Sequence, residues 1–319
     1  MPRVVIIGGT GHVGTYLVPR LVEAGMDVIS VSRGEREPYW PHAAWGRVRR
    51  VAIDRDAEEK LNAFGPAIRT LKPDIVIDMI CFKEASAAHL AEALSGHVGH
   101  FLHTGTIWTH GPTVEAPTLE TQPRRPFGDY GIRKAAIERL LLEAAHRRGF
   151  PVTILHPGHI VGVGWVPLNP EGHFNPVVFS KLAKGEEVLL PNLGLETVHH
   201  VHADDVAALF MAAIANRSAA LGESFHAVSP AALSLRGFAE GVAAWFGREP
   251  NLTYLPWEAW KARHSALEVE QTYDHIAHSP NCSMAKAERL LGFTPRFRSL
   301  EAVTQSVEHL IKTGVVETG

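Results

Sequence analysis

The sequence predicts an α/β protein in which a doubly wound parallel sheet carries a smaller α/β lobe built from the second half of the chain. Three observations carry this. Short β-rich runs alternate with longer helical stretches through the first half, as parallel strands joined by crossover helices require. The first run, Val4-Val5-Ile6-Ile7, is apolar without interruption, the pattern of a strand covered on both faces. A glycine-rich turn, Gly8-Gly9-Thr10-Gly11-His12-Val13-Gly14, follows that run and opens a helical stretch.

The elements follow in order. The first helical stretch is Gly14–Ala24, with Gly25 placed to end it. Further strands are expected at Val28–Val31, Val48–Ile53, Asp74–Asp78, His100–His103 and Val152–Leu155. The clearest helix is Asp129–Arg148, stopped by Gly149. Beyond Gly162 the alternation breaks. Trp165–Gly172 has the Gly, Pro and Asn content of a loop, and helical stretches with isolated short strands continue to the C-terminus.

Composition bounds the function classes. The 319 residues are 45% apolar, enough to bury a sizeable core. A formal charge of −3 offers no basic field for a phosphate backbone, so no nucleic-acid partner is expected. The 19 histidines make the true charge sensitive to mildly acid pH. Cys81 and Cys282 stand far apart in no metal-like spacing; one disulfide is conceivable, but free thiols in a reducing compartment are the reading. No apolar run reaches the ~18 residues that span a bilayer, so no membrane partner is expected. The first strand leaves no room for a signal peptide, and a cytoplasmic location is expected.

The turn fits Gly-x-Gly-x-x-Gly from Gly9 and Gly-x-x-Gly-x-x-Gly from Gly8. Either way it asks for a tight bend, close approach of backbone to a pyrophosphate, and a helix N-terminus facing the anion. The strand–turn–helix context makes dinucleotide binding the reading. An acid at the end of the second strand would hold an unphosphorylated ribose. That place reads Val31-Ser32-Arg33-Gly34, with Arg36 following. A guanidinium fits a 2′-phosphate, so Ser32 and Arg33 point to NADP rather than NAD.

Tyr130 and Lys134 begin the strong helix four residues apart, on one face with Cβ atoms about 5–6 Å apart. An ammonium near a phenol favours the phenolate and lowers its pKa, giving a group able to exchange a proton with a substrate oxygen. The fifth strand runs into His103-Thr104-Gly105-Thr106, which sets hydroxyls at the sheet's C-terminal edge, where such sheets bind ligands.

With these residues the chain resembles the extended short-chain dehydrogenase/reductase superfamily, including the NAD-dependent epimerase/dehydratase family, over nearly its whole length. Gly8, Gly11 and Gly14 match the cofactor glycines, Asp54 an acid that contacts adenine, and Thr106, Tyr130 and Lys134 the catalytic set. His202-Ala203-Asp204-Asp205-Val206-Ala207 is similar to the family's Val-Asp-Asp-Val-Ala segment, and Lys286-Ala287…Leu291-Gly292-Phe293-Thr294-Pro295 to its C-terminal signature. The resemblance implies a Rossmann domain of residues 1–163 and 196–228, with a substrate lobe of 164–195 and 229–319. Cofactor contacts are expected from Thr10, His12, Val13, Arg55, Met79, Cys81, Lys134 and Pro157 besides the residues above. It also implies a homodimer through the Asp129–Arg148 helix, although core packing would equally explain its apolar residues.

Departures from the family pattern narrow the substrate. Relatives that act on nucleotide-sugars place a diphosphate-gripping arginine where Val198 stands here. The usual Leu-Arg-Pro is Leu155-His156-Pro157, and the substrate-contacting Asn beyond it is His159. A small sugar-like or other hydroxy-ketone substrate, not a nucleotide-sugar, is therefore expected, with Trp108, His159 and His173 contacting it beside Thr106. His103, His110 and Trp165 are also expected to border the cleft. No metal is expected, since His200 and His202 share a strand face without further ligands. The leading reading is a reductase or dehydrogenase. An epimerase or dehydratase that keeps its cofactor is the alternative, and a non-enzymatic dinucleotide sensor or RNA-binding relative the third.

Overall fold

The computed structural model describes residues 1–319. Its strands, in chain order, are β1 (Arg3–Ile7), β2 (Asp27–Ser32), β3 (Arg49–Ala52), β4 (Ile75–Asp78), β5 (His100–Thr104), β6 (Val152–Pro157), β7 (His159–Val161), β8 (Val188–Pro191), β9 (Thr197–Val198), β10 (His200–His202), β11 (Glu223–Ala227), β12 (Leu233–Ser234) and β13 (Leu252–Leu255). Seven of them form one sheet in the order β11-β6-β5-β4-β1-β2-β3, and every pairing in it is parallel. The expected α/β class and doubly wound parallel sheet are what the chain forms.

Why Val4–Ile7 of β1 are all apolar is visible in the strand's two faces. Val4 and Ile6 pack into one core with the helices His12–Glu23 and Ala203–Ala215. Val5 and Ile7 pack into another with Phe64–Thr70, Glu84–Leu94 and Gly128–Arg148. Alternate side chains thus meet opposite helix layers, and none faces water. The strand order reverses between β4 and β1, which opens a crevice at their C-terminal ends.

A third core gathers Val161, the helix Val177–Lys184, β8 and the helices Leu235–Trp245 and Ser299–Lys312. The chain leaves the sheet after β6, threads this lobe, and returns as β11 beside β6. The remaining strands form three two-stranded pairs, β7 with β10, β9 with β12 and β8 with β13.

The first helix begins at His12, two residues before the expected start, with Gly11 in extended conformation as its N-cap. Gly14 lies inside its first turn because a Cβ there would collide with the Gly9 carbonyl. The strong helix starts at Gly128 and ends at Gly149, whose φ of 67° is the left-handed cap that glycine favours. Both cysteines are buried and unpaired. No helix is long and apolar enough to cross a membrane.

Candidate active site

The glycine turn forms a cradle at the crevice. Gly8 takes a φ of 89°, its N–H donates to the Val31 carbonyl at 2.9 Å, and a Cβ on it would press to 2.8 Å from Ile80. The helix His12–Glu23 has no side-chain cap at Gly11, so its first-turn amides are free to face an anion. A cleft of about 810 Å³ opens above, lined by Gly8, Thr10, Gly11, Ser32, Arg33 and Asp54 among others. These residues fit a dinucleotide: bare backbone approaches where a pyrophosphate would lie, and polar groups follow along the β2 and β3 ends.

Several expected cofactor residues sit differently. Ile80 and Phe82 line the cleft, not Met79 and Cys81. Exposure alternates along this stretch, with Ile80 and Phe82 exposed and Cys81 buried between them. Met79 packs into the core, and Cys81 is buried, its thiol pushed up to about 12 by burial. Arg55 lines the cleft, but its guanidinium pairs with Asp78 at 2.8 Å and Glu59 at 2.6 Å. Asp54 caps the next helix by accepting from the Ala57 amide at 3.1 Å. Arg33 is exposed and pairs with Glu35 at 2.9 Å; Glu35 and Glu37 line the same cleft, acids the sequence reading passed over. His12 turns aside to stack on Trp165, centroids 4.9 Å apart, while Val13 and Pro157 are buried.

At the C-terminal end of β5, Thr106 is buried and caps a short 3₁₀ turn, its Oγ1 accepting from the Trp108 amide at 3.3 Å. Tyr130 lies between Phe82 and Trp108, with ring centroids 6.5 and 6.0 Å away. Burial of its hydroxyl end pushes the phenol up, and the neighbouring Thr106 hydroxyl works the other way. Lys134 is buried below, donating to the carbonyls of Thr104 at 2.7 Å and Cys81 at 2.8 Å, with Nζ 4.8 Å from the Phe82 ring. Burial lowers its ammonium to about 8. The helix does bring Thr106, Tyr130 and Lys134 together. The expected lowering of the phenol by Lys134 is not found, because the ammonium faces two carbonyls.

Histidines dominate the far wall. His159 has both ring nitrogens buried without partners, and Trp108 lies 6.4 Å from it. Two residues that sequence reasoning missed arrive on the helix Ala266–His278. His275 lies 4.8 Å from His159, and His278 stacks on Trp108 at 4.2 Å and on Phe127 at 4.0 Å. No local signal marked them, since their place depends on the fold of the lobe. His103 is buried inside the sheet and His110 bonds His226 at 2.8 Å, so neither borders this wall. Val198, where an arginine would grip a diphosphate, is buried in the lobe's core.

His173 also departs from expectation. Its Nδ1 accepts from Asn169 Nδ2 at 2.9 Å and from the Asn175 amide at 3.2 Å, so its proton sits on Nε2, facing Glu171 at 3.3 Å. Every polar position of this ring is used within its own loop. His264 Nε2 approaches the same carboxylate at 2.7 Å, while its Nδ1 donates to the Trp260 carbonyl at 2.8 Å. The three groups lie close enough to suggest a metal, yet His173 has no lone pair to offer one. The set is a hydrogen-bonded carboxylate.

Fold, turn and Thr/Tyr/Lys constellation define an enzyme that binds a nicotinamide dinucleotide. The chain belongs to the NAD dependent epimerase/dehydratase family, whose model matches residues 4–227. It is 28% identical over 260 residues to the 2'-dehydrokanamycin reductase of Streptomyces kanamyceticus, covering 82% of this chain and 71% of that one. To the UDP-glucose 4-epimerase of Azospirillum brasilense it is 24% identical over 191 residues, covering 55% and 53%. The fold matches that of the UDP-glucose 4-epimerase of Thermotoga maritima, solved with UDP-glucose, at a TM-score of 0.71 and 20% identity, over 98% of this chain and 99% of that one.

Proposed function

We propose that the protein is an NADP-dependent reductase or dehydrogenase acting on a carbonyl or secondary alcohol of a small, uncharged, sugar-like substrate. The observation that carries this is the convergence of Thr106, Tyr130 and Lys134 at one end of a wall of Trp108 and neutral imidazoles. Burial holds His275 and His278 at about 4 and His159 well below its ordinary value, so at neutral pH they offer hydrogen bonds without charge. Such a wall suits hydroxyl groups, not a diphosphate. In this reading Tyr130 exchanges a proton with the substrate oxygen, Thr106 orients that oxygen, and Lys134 holds the nicotinamide ribose. The bound nicotinamide supplies or accepts the hydride. Ser32, Arg33 and Arg36 at the end of β2 favour a 2′-phosphate. The relative named as a reductase of 2'-dehydrokanamycin, a substrate without a nucleotide in its name, supports the same reading.

The test is to incubate the protein with NADPH and a panel of unphosphorylated ketoses, L-sorbose among them, and to follow cofactor oxidation and product. Reduction of a free ketose supports the reading, and its absence across the panel counts against it. A second reading, an epimerase with retained NAD, is favoured by the UDP-glucose 4-epimerase relatives and by Glu35 and Glu37, acids that could hold ribose hydroxyls. It predicts that purified protein carries NAD and interconverts UDP-galactose and UDP-glucose without net cofactor consumption. We infer also a homodimer through the Gly128–Arg148 helix, where Ile132 is exposed and Leu140 half-buried. The domain division 1–163 with 196–228 against 164–195 with 229–319 is proposed with it.

A further inference from the structure

We propose that His156 and Glu138 are positioning residues that fix the backbone of Thr106, and so hold its hydroxyl against Tyr130. This rests on the reading that Thr106 and Tyr130 meet the substrate oxygen. Directly beneath the Gly105-Thr106 backbone lies the imidazole of His156; a Cβ on Gly105 would run into its Nδ1. The Thr106 amide donates to that Nδ1 at 3.0 Å. An amide can donate only to an unprotonated nitrogen, so the ring proton sits on Nε2. Nε2 in turn donates to Glu138 Oε1 at 2.9 Å.

Glu138 lies on the helix that carries Tyr130 and Lys134, one turn beyond the lysine and on the same face. Its carboxylate is gripped by Arg124, Nε to Oε2 at 2.9 Å and Nη2 to Oε1 at 2.6 Å. Arg124 is fixed by the carbonyls of Glu120 at 3.0 Å and Gln122 at 2.9 Å. Burial alone would raise the Glu138 carboxyl, but the His156 imidazole and the Arg124 guanidinium beside it hold it below the usual range. An ionised carboxylate only accepts, and this excludes the tautomer that would turn an N–H against the Thr106 amide. His156 is fully buried and Glu138 is 3% exposed, so water cannot substitute for either bond. Glu138 therefore sets the tautomer that gives the Thr106 amide its acceptor.

Two near-isosteric variants separate positioning from mere packing. His156→Asn keeps an acceptor oxygen near the place of Nδ1 but cannot reach Glu138, whereas His156→Gln keeps a donor towards Glu138 and loses the acceptor beneath Thr106. The readouts are the exchange rate of the Thr106 amide by NMR in ¹⁵N-threonine-labelled protein, and kcat and KM with NADPH and L-sorbose. His156→Asn is expected to stay within about threefold of wild type in amide exchange and kcat, and His156→Gln to shift both by roughly tenfold, the scale of one lost buried hydrogen bond. KM and NADPH affinity stay unchanged in both.

Glu138→Gln, which no longer enforces the tautomer, is a third variant and should also speed Thr106 exchange. The proposal is overturned if the Asn and Gln variants behave alike, or if amide exchange stays at the wild-type rate in both Glu138→Gln and His156→Gln. If the wild type leaves L-sorbose untouched, the reaction assignment fails on that probe, and the Thr106 exchange contrast by itself decides the positioning claim.

Discussion

Tyr130 and Lys134 share one helix face, yet the Lys134 ammonium is bonded to the carbonyls of Thr104 and Cys81 and not to the phenol of Tyr130. The Thr106 hydroxyl, not Lys134, is the group that favours ionisation of that phenol. The lysine bonds β5 and the chain after β4, and the tyrosine ring lies beside Phe82, which lines the cleft. The two residues that sequence spacing joins are thus given different duties by the fold.

Replacing Tyr130 by Phe removes the proton-exchanging group and keeps the ring against Phe82 and Trp108. Turnover is expected to fall by about 10²–10⁴-fold, the usual contribution of a general acid or base. NADP binding, followed by calorimetry, should stay within about threefold, since the hydroxyl is assigned to substrate and not to cofactor. Near-wild-type turnover would remove Tyr130 from the chemistry.

Arg33 is exposed, and its pair with Glu35 is a surface pair of small worth, so the guanidinium can turn to a phosphate at little cost. Arg33→Ala should weaken NADP binding by roughly tenfold or more, the scale of a charge-assisted bidentate contact, and leave NAD binding nearly unchanged. Titrating both nucleotides against wild type and variant checks this. Equal losses for the two would show that Arg33 does not read the 2′-phosphate.

Acid should unfold this protein early. Burial holds His12, His100, His199, His202, His275 and His278 at about 4 and His110 and His200 at about 3. Each folded value lies below the unfolded one near 6.5, so the unfolded chain binds more protons between those limits. The stability these groups contribute is complete above pH 6.5 and is lost as pH falls towards 4. Circular dichroism against pH should show a steep transition near pH ~5, with uptake of several protons. A chain still cooperatively folded at pH 4 would contradict it.

The Rossmann half was legible because its physics is local. Continuous apolar runs marked β1 and β4, the glycine turn marked the crevice, and Gly149 marked the helix end. Boundaries slipped where caps decide them, as at His12. β11 escaped notice because its sequence, Glu-Ser-Phe-His-Ala, has polar side chains whose partners come from distant segments. The same holds for the site. Thr106, Tyr130 and Lys134 were readable from spacing, whereas His275 and His278 reach Trp108 only through the lobe. Glu138 did carry a signal, four residues beyond Lys134 on its own face, and His156 stood out as a departure from the family pattern. Their bond to each other and to the Thr106 amide required the folded chain.

Net hydride transfer to a free sugar-like carbonyl is measured most directly with NADPH deuterated at the transferable position. One deuterium is expected in the product alcohol for each NADP released, with UDP-galactose left unchanged. Epimerised UDP-sugar with no NADP released, from protein that already carries its cofactor, would contradict it.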